Sequence, residues 1–195
     1  ANRYGIVAVG TSTGGPPALR TVLGELPATF PVPVVVVQHI SKGFADGLAR
    51  WLNETIALRV KLAEAGEPLL AGNAYIAPDE VHLQITGQRK VALLRESPMD
   101  GHRPSVTALF NSVAKQYGPS AVGVLMTGMG RDGANGLYAM KQEGAYTIAQ
   151  DEASCIVFGM PGEAVKIGAA THILPPDEIA SMLANVVRTT MRGSR

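Results

Sequence analysis

Short apolar runs alternate with helical patterns along most of the chain. The first run, Tyr4–Gly10, predicts a strand, and the spacing of the apolar residues after it predicts a helix over Pro16–Leu26. The β-branched run Val32–Gln38 is typical of a strand buried on both faces of a parallel sheet. Further helices are predicted over Phe44–Ile56, Ser105–Tyr117, Gly133–Glu143, Pro161–Ile167 and Asp177 to about Met191, and further strands over Ala121–Met126, Tyr146–Gln150 and Thr171–Leu174. Repeated strand–helix units predict an α/β fold, a doubly wound and mostly parallel sheet with helices on both faces.

The middle of the chain has strand patterns without helices between them. Thr86–Lys90 is typical of a hairpin loop, because it combines a glycine with polar residues between two apolar runs. The short strand candidates of this region are Val60–Ala63, Asn73–Ala77, Val81–Ile85 and Val91–Arg95. We therefore expect an antiparallel hairpin excursion inserted at about residues 60–95.

Composition narrows the class of protein. The chain has 195 residues, 46% of them hydrophobic and 17% charged, which predicts one globular domain over residues 1–195. Lys and Arg (17) nearly balance Asp and Glu (16), so nucleic acid is not expected as the main partner. The longest apolar runs have the length of strands, and we expect no membrane insertion.

The single cysteine and the start of the chain give expectations about disulfides, cellular location and domain organisation. Cys155 stands alone, so no internal disulfide is expected, and its apolar neighbours predict an inert core thiol. No signal peptide precedes the first strand, which favours a cytoplasmic protein. The chain starts at Ala1 without a methionine, and we interpret it as a processed or excised fragment that lacks an N-terminal domain.

Ser12 lies in the turn between the first predicted strand and the first predicted helix. Gly10–Gly15 contains the pattern G-x-S-x-G of a nucleophile elbow. Such a turn exposes the serine hydroxyl and directs the amides of the following helix toward it, where they can hold an oxyanion. The alternative is a glycine-rich turn that binds a phosphate or only reverses the chain. A dinucleotide fingerprint needs glycine at position 12, and the chain has no Gly-Lys-Ser/Thr phosphate loop.

Two further polar residues follow predicted strands. His39 comes directly after Val32–Gln38, where its imidazole could act on Ser12 as a general base; otherwise it only caps a loop. Asp132 begins a predicted helix, so it is either an N-cap or the carboxylate that orients His39. His102, in the loop before the helix at residue 105, is the rival base. Sequence spacing does not decide between these roles.

The remaining histidines carry no predicted chemistry. His82 alternates within the hairpin strand and is expected at the surface, and His172 is expected to be structural. No cluster of His, Cys, Asp and Glu has the spacing of metal ligands, so we predict neither a metal nor a cofactor.

Five motifs, taken together, resemble one known family. In chain order they are Gly10–Gly15, Gln38-His39, Gly101–Val106, Met126–Ala134 and Phe158–Pro161. They resemble the catalytic domain of the chemotaxis protein-glutamate methylesterase (CheB) family, over about Tyr4 to Leu183. The resemblance implies a serine hydrolase that removes methyl groups from glutamate γ-methyl esters on chemoreceptors, and often deamidates receptor glutamines. It also implies a regulatory receiver domain, joined by a linker, which this chain lacks.

The resemblance assigns roles to residues. It implies that Ser12 is the nucleophile, His39 the base and Asp132 the residue that orients the base. The backbone amides of Thr13 and Met129 would form the oxyanion hole. His102 becomes a residue that lines the site.

Two other function classes remain as alternatives. The first is a nucleotide- or phosphate-binding doubly wound domain that uses the same glycine turn. The second is a non-catalytic module that docks to chemoreceptors. The presence of Ser12, His39 and Asp132 disfavours the second class.

Overall fold

The computed structural model describes residues 3–188. The strands are β1 (Ile6–Thr11), β2 (Val34–Gln38), β3 (Arg59–Leu62), β4 (Asn73–Ile76), β5 (His82–Ile85), β6 (Val91–Leu94), β7 (Ala121–Leu125), β8 (Tyr146–Gln150) and β9 (His172–Leu174). The α-helices are α1 (Gly15–Gly24), α2 (Ala45–Thr55), α3 (Val106–Tyr117), α4 (Ala134–Gln142), α5 (Met160–Lys166) and α6 (Pro176–Arg188). The predicted elements agree with these to within a few residues. The predicted end of the last helix, at about Met191, lies outside the described residues.

The main sheet has seven parallel strands in the order β3-β4-β2-β1-β7-β8-β9. Every residue of β1, β2 and β7 is buried, as expected of strands that are covered on both faces. Apolar residues of α1, α2 and α6 pack on one face, and those of α3, α4 and α5 pack on the other. The predicted fold class, a doubly wound sheet with helices on both faces, is confirmed.

The antiparallel insertion is smaller than predicted. Among the strands of residues 3–188, β5 and β6 are the pair that runs antiparallel, as a separate two-stranded sheet closed by the predicted loop at residues 86–90. The strands β3 and β4 instead extend the main sheet in parallel. The predicted hairpin is confirmed, but its extent was wrong. β3 and β4 were assigned to it because about ten residues join them, whereas a parallel crossover usually needs a dozen or more and a helix.

The topology determines where a site forms. From β1 the chain moves to β2 on one side, and β7 pairs with β1 on the other side. The carboxyl ends of these three central strands therefore meet at one edge, where the strand order reverses. Such an edge is the usual place for a ligand in an open α/β sheet. Within residues 3–188, no helix is long and apolar enough to cross a membrane.

Candidate active site

Three predicted site residues follow the three central strands. Thr11, the last residue of β1, pairs with Gln38, the last residue of β2, so Ser12 and His39 occupy equivalent positions beyond neighbouring strands. Asp132 lies in the loop between β7 and α4. The structure thus brings Ser12, His39 and Asp132 to one edge of the sheet, and their contacts show how each side chain is held.

Hydrogen bonds on both sides of Ser12 fix its turn. The Ser12 amide donates to the Thr127 carbonyl at 2.9 Å, and the Gly15 amide donates to the Ser12 carbonyl at 2.8 Å. The left-handed conformation in this turn is taken by Gly14, with φ of 81°, and not by the serine. The first turn of α1 also offers fewer amides than expected, since residues 16 and 17 are prolines. Ser12 itself is half-buried.

The His39 ring is held by a carboxylate at one of its two nitrogens. Its Nε2 lies 2.6 Å from Oδ2 of Asp132, and the side chain is only 8% exposed. The Gln38 amide group donates to the carbonyls of both Ser12 and His39 at 2.8 Å, which ties the two turns together. Within the described part of the chain, Nδ1 of His39 is buried without a hydrogen-bond partner. Because an ionised carboxylate only accepts, Nε2 carries the proton and Nδ1 presents a free lone pair.

Asp132 is fully buried and accepts four hydrogen bonds. Beside the bond to His39, Oδ2 accepts from the Val106 amide at 2.8 Å. Oδ1 accepts from the Ser105 hydroxyl at 2.8 Å and from the Thr107 amide at 3.0 Å. Burial acts to raise the pKa of the Asp132 carboxyl, but the bonds from His39, Thr107, Val106 and Ser105 outweigh it and hold that pKa below its ordinary value.

The capping interpretation of Asp132 is not what the structure shows. The N-cap of α4 is Gly133, and no side chain caps that helix. The Asp132 carboxylate instead lies at the N-terminus of α3, where two free amides and the positive end of the helix dipole stabilise its charge. An ionised, buried carboxylate bonded to an imidazole can orient that ring and stabilise its protonated form.

His102, the predicted rival base, stacks on His39. The ring centroids are 3.7 Å apart, and the planes differ by 7°. The bond to Asp132 belongs to His39, so the structure favours His39 over His102 as the oriented base. Burial and the nearby His39 lower the pKa of His102, while Asp132 and Asp100 act in the opposite direction with smaller effect.

Thr127 joins the two loops that carry the predicted oxyanion amides. Its hydroxyl donates to the Thr13 carbonyl at 2.9 Å, and it accepts from the Val157 amide at 3.1 Å. The Gly128 amide in turn donates to the Val157 carbonyl at 3.0 Å. Within residues 3–188, neither the Thr13 amide nor the Met129 amide donates a hydrogen bond. Both amides are therefore available to an oxygen bound beside Ser12.

One supporting residue was wrongly assigned from the sequence. His82 was expected at the surface, but it is 1% exposed. Its Nδ1 accepts from the Ser105 amide at 3.1 Å, and its Nε2 lies 2.9 Å from the Ser97 carbonyl. His82 thereby positions Ser105, which binds Asp132. Alternation within β5 did not reveal this role, because the hairpin packs against α3 rather than facing solvent. His172, expected to be structural, stacks on the Tyr146 ring at 4.7 Å.

Cys155 is not in the core. It is half-buried in the loop between β8 and α5. Burial is the main cause that raises the pKa of its thiol to about 11, so the thiol stays protonated and is a poor nucleophile near neutral pH. The predicted location is wrong, while the predicted low reactivity agrees with this pKa. Among the described residues, no group of three or more His, Cys, Asp or Glu is arranged to hold a metal ion.

Gly128 gives a test of how tightly the serine turn is packed. A Cβ atom at this position would lie 2.5 Å from Sδ of Met160 and 2.7 Å from Cβ of Ser12. Gly128→Ala should therefore displace the serine turn, destabilise the fold by about 1–3 kcal/mol, and reduce the turnover rate by roughly 10²-fold. Thermal melting and steady-state kinetics measure the two effects.

Gly47 offers the matched control for that substitution. It lies exposed in α2, with nothing within 4 Å of a Cβ atom. Gly47→Ala should stabilise the helix by up to about 1 kcal/mol and leave turnover unchanged. If Gly128→Ala behaved like Gly47→Ala, the close packing around Ser12 would be wrong.

Comparisons with known proteins identify one family. The family model described as CheB methylesterase matches residues 7–183. A protein-glutamate methylesterase/protein-glutamine glutaminase of Nitrosospira multiformis is 48% identical over 182 residues, 93% of this chain and 51% of that protein. Another protein of that name, from Paraburkholderia xenovorans, is 52% identical over 180 residues, 91% of this chain and 48% of that protein. The chain thus spans about half the length of the curated relatives it matches.

A solved structure extends the comparison to three dimensions. The crystal structure of the Thermotoga maritima CheB methylesterase catalytic domain superposes with a TM-score of 0.92 at 38% sequence identity. The match covers 94% of this chain and 99% of that one. At this identity and coverage the likeness extends across the whole catalytic domain and is not limited to a shared sheet topology.

Proposed function

This chain belongs to the CheB methylesterase family, and on that premise we propose that it hydrolyses glutamate γ-methyl esters on chemoreceptors. We include deamidation of receptor glutamines as a second activity, because the relatives carry both names. One observation carries the proposal: His39 is bonded to a buried, ionised Asp132 at Nε2 with Nδ1 left unpartnered, and Gln38 ties the His39 turn to the Ser12 turn. That is the arrangement of a general base next to a nucleophile.

The proposed chemistry proceeds in two halves. Ser12 attacks the γ-carbonyl carbon while Nδ1 of His39 takes the hydroxyl proton, and Asp132 stabilises the resulting imidazolium. The protonated His39 then gives its proton to the methoxy oxygen as the C–O bond breaks, which releases methanol and leaves a glutamyl ester on Ser12. Water repeats the cycle on that ester, releases the glutamate carboxylate and restores the serine. With a glutamine substrate the leaving group is ammonia.

We propose that the backbone amides of Thr13 and Met129 donate hydrogen bonds to the oxyanion. Support comes from the two loops, which Thr127 holds together, and from the absence of another acceptor for either amide within residues 3–188. Fixed donors aimed at a developing negative charge are among the largest contributions to such catalysis. Both amides come from backbone that hydrogen bonds hold in place, so little reorganisation is needed during the reaction.

The surroundings of the site suit a large substrate. Met129 is 65% exposed and Ile156 is 74% exposed, and Ile156 packs beside Gly14 of the serine turn. A contiguous patch of exposed apolar side chains is typical of surfaces that contact other proteins, and Met129 and Ile156 lie on segments joined by the bond from the Gly128 amide to the Val157 carbonyl. A receptor helix that carries the ester can approach such a rim directly. We propose that residues 1–195 form a single catalytic domain of a cytoplasmic protein.

A direct test is methanol release from methylated chemoreceptor incubated with this chain. Release should stop after treatment with an organophosphonate that modifies activated serines, with one adduct on Ser12. Release that survived full modification of Ser12 would contradict the proposal. Nucleotides should not raise the melting temperature; a rise would instead support the phosphate-binding alternative.

A regulatory receiver domain in the full-length protein belongs to the same proposal. A domain that rests on the exposed rim around Met129 would obstruct approach of the receptor. We therefore expect a higher kcat/KM for the 195-residue chain than for the full-length unphosphorylated protein, with unchanged pH dependence, because obstruction lowers only the competent population. Kinetics of both proteins on one methylated receptor measure this. Equal kcat/KM values, or a lower value for the shorter chain, would contradict obstruction.

A further inference from the structure

His102 contacts the proposed base without sharing its hydrogen bonds, and we propose that it is a positioning residue of this site. Its ring fixes the plane of the His39 imidazole and thereby the direction in which Nδ1 points. The inference rests on the proposed function, since it takes His39 to be the base. It goes beyond that function because it assigns His102 a role in orienting His39, and this role involves neither proton transfer nor contact with the substrate.

The hydrogen bond to Asp132 does not by itself fix the His39 ring. The terminal torsion of a histidine side chain is broad, so neighbouring groups must set the orientation of the ring. A single bond at Nε2 leaves the ring free to pivot about that contact. The parallel His102 ring, with centroids 3.7 Å apart and planes 7° apart, covers one face of His39 and blocks this pivot. One in-plane and one out-of-plane contact together define the direction of Nδ1.

The chain anchors His102 to the same unit that binds Asp132. The His102 amide donates to the Met99 carbonyl at 3.0 Å, and the Met99 amide donates to the His102 carbonyl at 3.0 Å. Three residues later, Ser105 donates its hydroxyl to Oδ1 of Asp132. The stacking ring and the orienting carboxylate are therefore both attached to the start of α3. Movement of one relative to the other would require this segment to distort.

Charge around His102 favours a neutral ring. The titratable groups that act on it are His39, Asp132 and Asp100. Burial and His39 disfavour its protonated form more than the two carboxylates favour it, so its pKa is lowered. A proton on His102 would also place two like charges in stacked rings when His39 becomes an imidazolium. A neutral neighbour avoids that repulsion, which fits positioning and does not fit a general acid.

Three substitutions separate positioning from chemistry. His102→Ala removes the ring, His102→Leu keeps bulk without a flat face, and His102→Phe keeps a flat face that cannot titrate. We expect kcat to fall about 10- to 100-fold in the Ala and Leu variants, because small misplacement of a catalytic group is costly, while KM stays nearly constant. The Phe variant should retain kcat to within about threefold, since stacking of a flat ring survives. The acid limb of the pH profile of kcat should keep the same slope in the Phe variant as in the wild type.

The matched control is His172→Ala, which removes a stacked histidine outside the site. It should leave kcat unchanged, and thermal melting should show that each variant is folded at the assay temperature. Full activity in His102→Ala, or a change in KM alone, would overturn the proposal. Equal losses in the Phe and Ala variants would also overturn it, by giving His102 a chemical role.

A measurement without substrate separates this inference from the proposed function. Nitrogen relaxation of the His39 ring reports its reorientation, and its nitrogen chemical shifts report the tautomer that Asp132 fixes. The wild type, His102→Phe and His102→Ala should all keep the proton on Nε2, but only His102→Ala should show faster reorientation of the ring. Unchanged ring motion in His102→Ala would overturn the positioning role. A chain without activity on receptor would contradict the proposed function alone, because these measurements need no reaction.

Discussion

Ser12→Ala should reduce kcat by roughly 10⁶-fold while the melting temperature stays nearly constant, because loss of a nucleophile removes the covalent pathway. The hydroxyl contributes little packing, since Ser12 is only half-buried and its hydrogen bonds within the described residues are made by its backbone. Single-turnover measurements with excess enzyme detect a residual rate of this size. Binding of methylated receptor should be retained, which shows that the variant is folded and competent to bind.

Ser181→Ala is the matched control for this variant. Ser181 lies exposed on α6 and donates to the Asp177 carbonyl at 3.2 Å. The same loss of a hydroxyl should leave kcat unchanged there. If Ser12→Ala kept more than a few per cent of the wild-type rate, Ser12 would not be the nucleophile, whatever the effect on melting.

Asp132→Asn should reduce kcat by roughly 10²- to 10⁴-fold, through the wrong tautomer of His39. An asparagine has one accepting oxygen where the carboxylate has two. If that oxygen faces Ser105 and Thr107, the amide NH₂ group faces Nε2 of His39, which must then accept and carry its proton on Nδ1. Nδ1 of His39 can then no longer accept the serine proton, although the position of the ring is unchanged. Asp177→Asn, an exposed change of the same charge in the first turn of α6, should keep full activity.

Asp132→Asn should also destabilise the fold, whereas replacing Asp by Asn at a helix N-cap would have little effect on stability. In either amide orientation one backbone amide of α3, from Val106 or Thr107, faces a donor and stays unpaired, which costs about 1–3 kcal/mol. The pH dependence follows from the lowered pKa of Asp132. An aspartate carboxyl in the unfolded chain has a pKa of about 3.9, and as the pH falls it takes up a proton before the carboxyl in the folded chain does. The free energy of unfolding of the wild type therefore falls with falling pH in this range.

Denaturant titrations between neutral pH and pH 3 check that prediction. The free energy of unfolding should decrease with acid more steeply in the wild type than in Asp132→Asn, since the variant has no carboxyl to protonate. Parallel slopes would show that the Asp132 carboxylate is not stabilised in the fold. Full activity with reduced stability would mean that Asp132 only supports α3.

The sequence predicted those features that depend on local pattern. Buried β-branched runs identified β1 and β2, and the small residues around Ser12 identified the turn between β1 and α1. Parallel strands place their carboxyl ends at one edge, so Ser12 and His39 were expected to be near each other from their positions after adjacent strands. Interpretation of Asp132 stayed open, because its binding partners lie more than 20 residues earlier in the chain.

Features that depend on distant packing were missed or misjudged. The parallel pairing of β3 and β4 contradicts what their short connection suggests. His82 is buried because the hairpin packs on α3, which alternation within one strand does not reveal. The stack between His39 and His102 joins residues 63 positions apart, and neither motif indicates it. These errors share one cause, namely that pairing and burial are decided by contacts across the fold.

Hydrolysis of methylated chemoreceptor in water enriched in ¹⁸O tests the central claim, attack of Ser12 on the ester carbonyl, most directly. Carbonyl attack breaks the bond between the acyl carbon and the methoxy oxygen, and water later supplies an oxygen to the glutamate product. The account predicts methanol without ¹⁸O and one ¹⁸O atom in each new γ-carboxylate, with neither product formed by Ser12→Ala. Methanol that contains ¹⁸O, or equal release by Ser12→Ala, would contradict it.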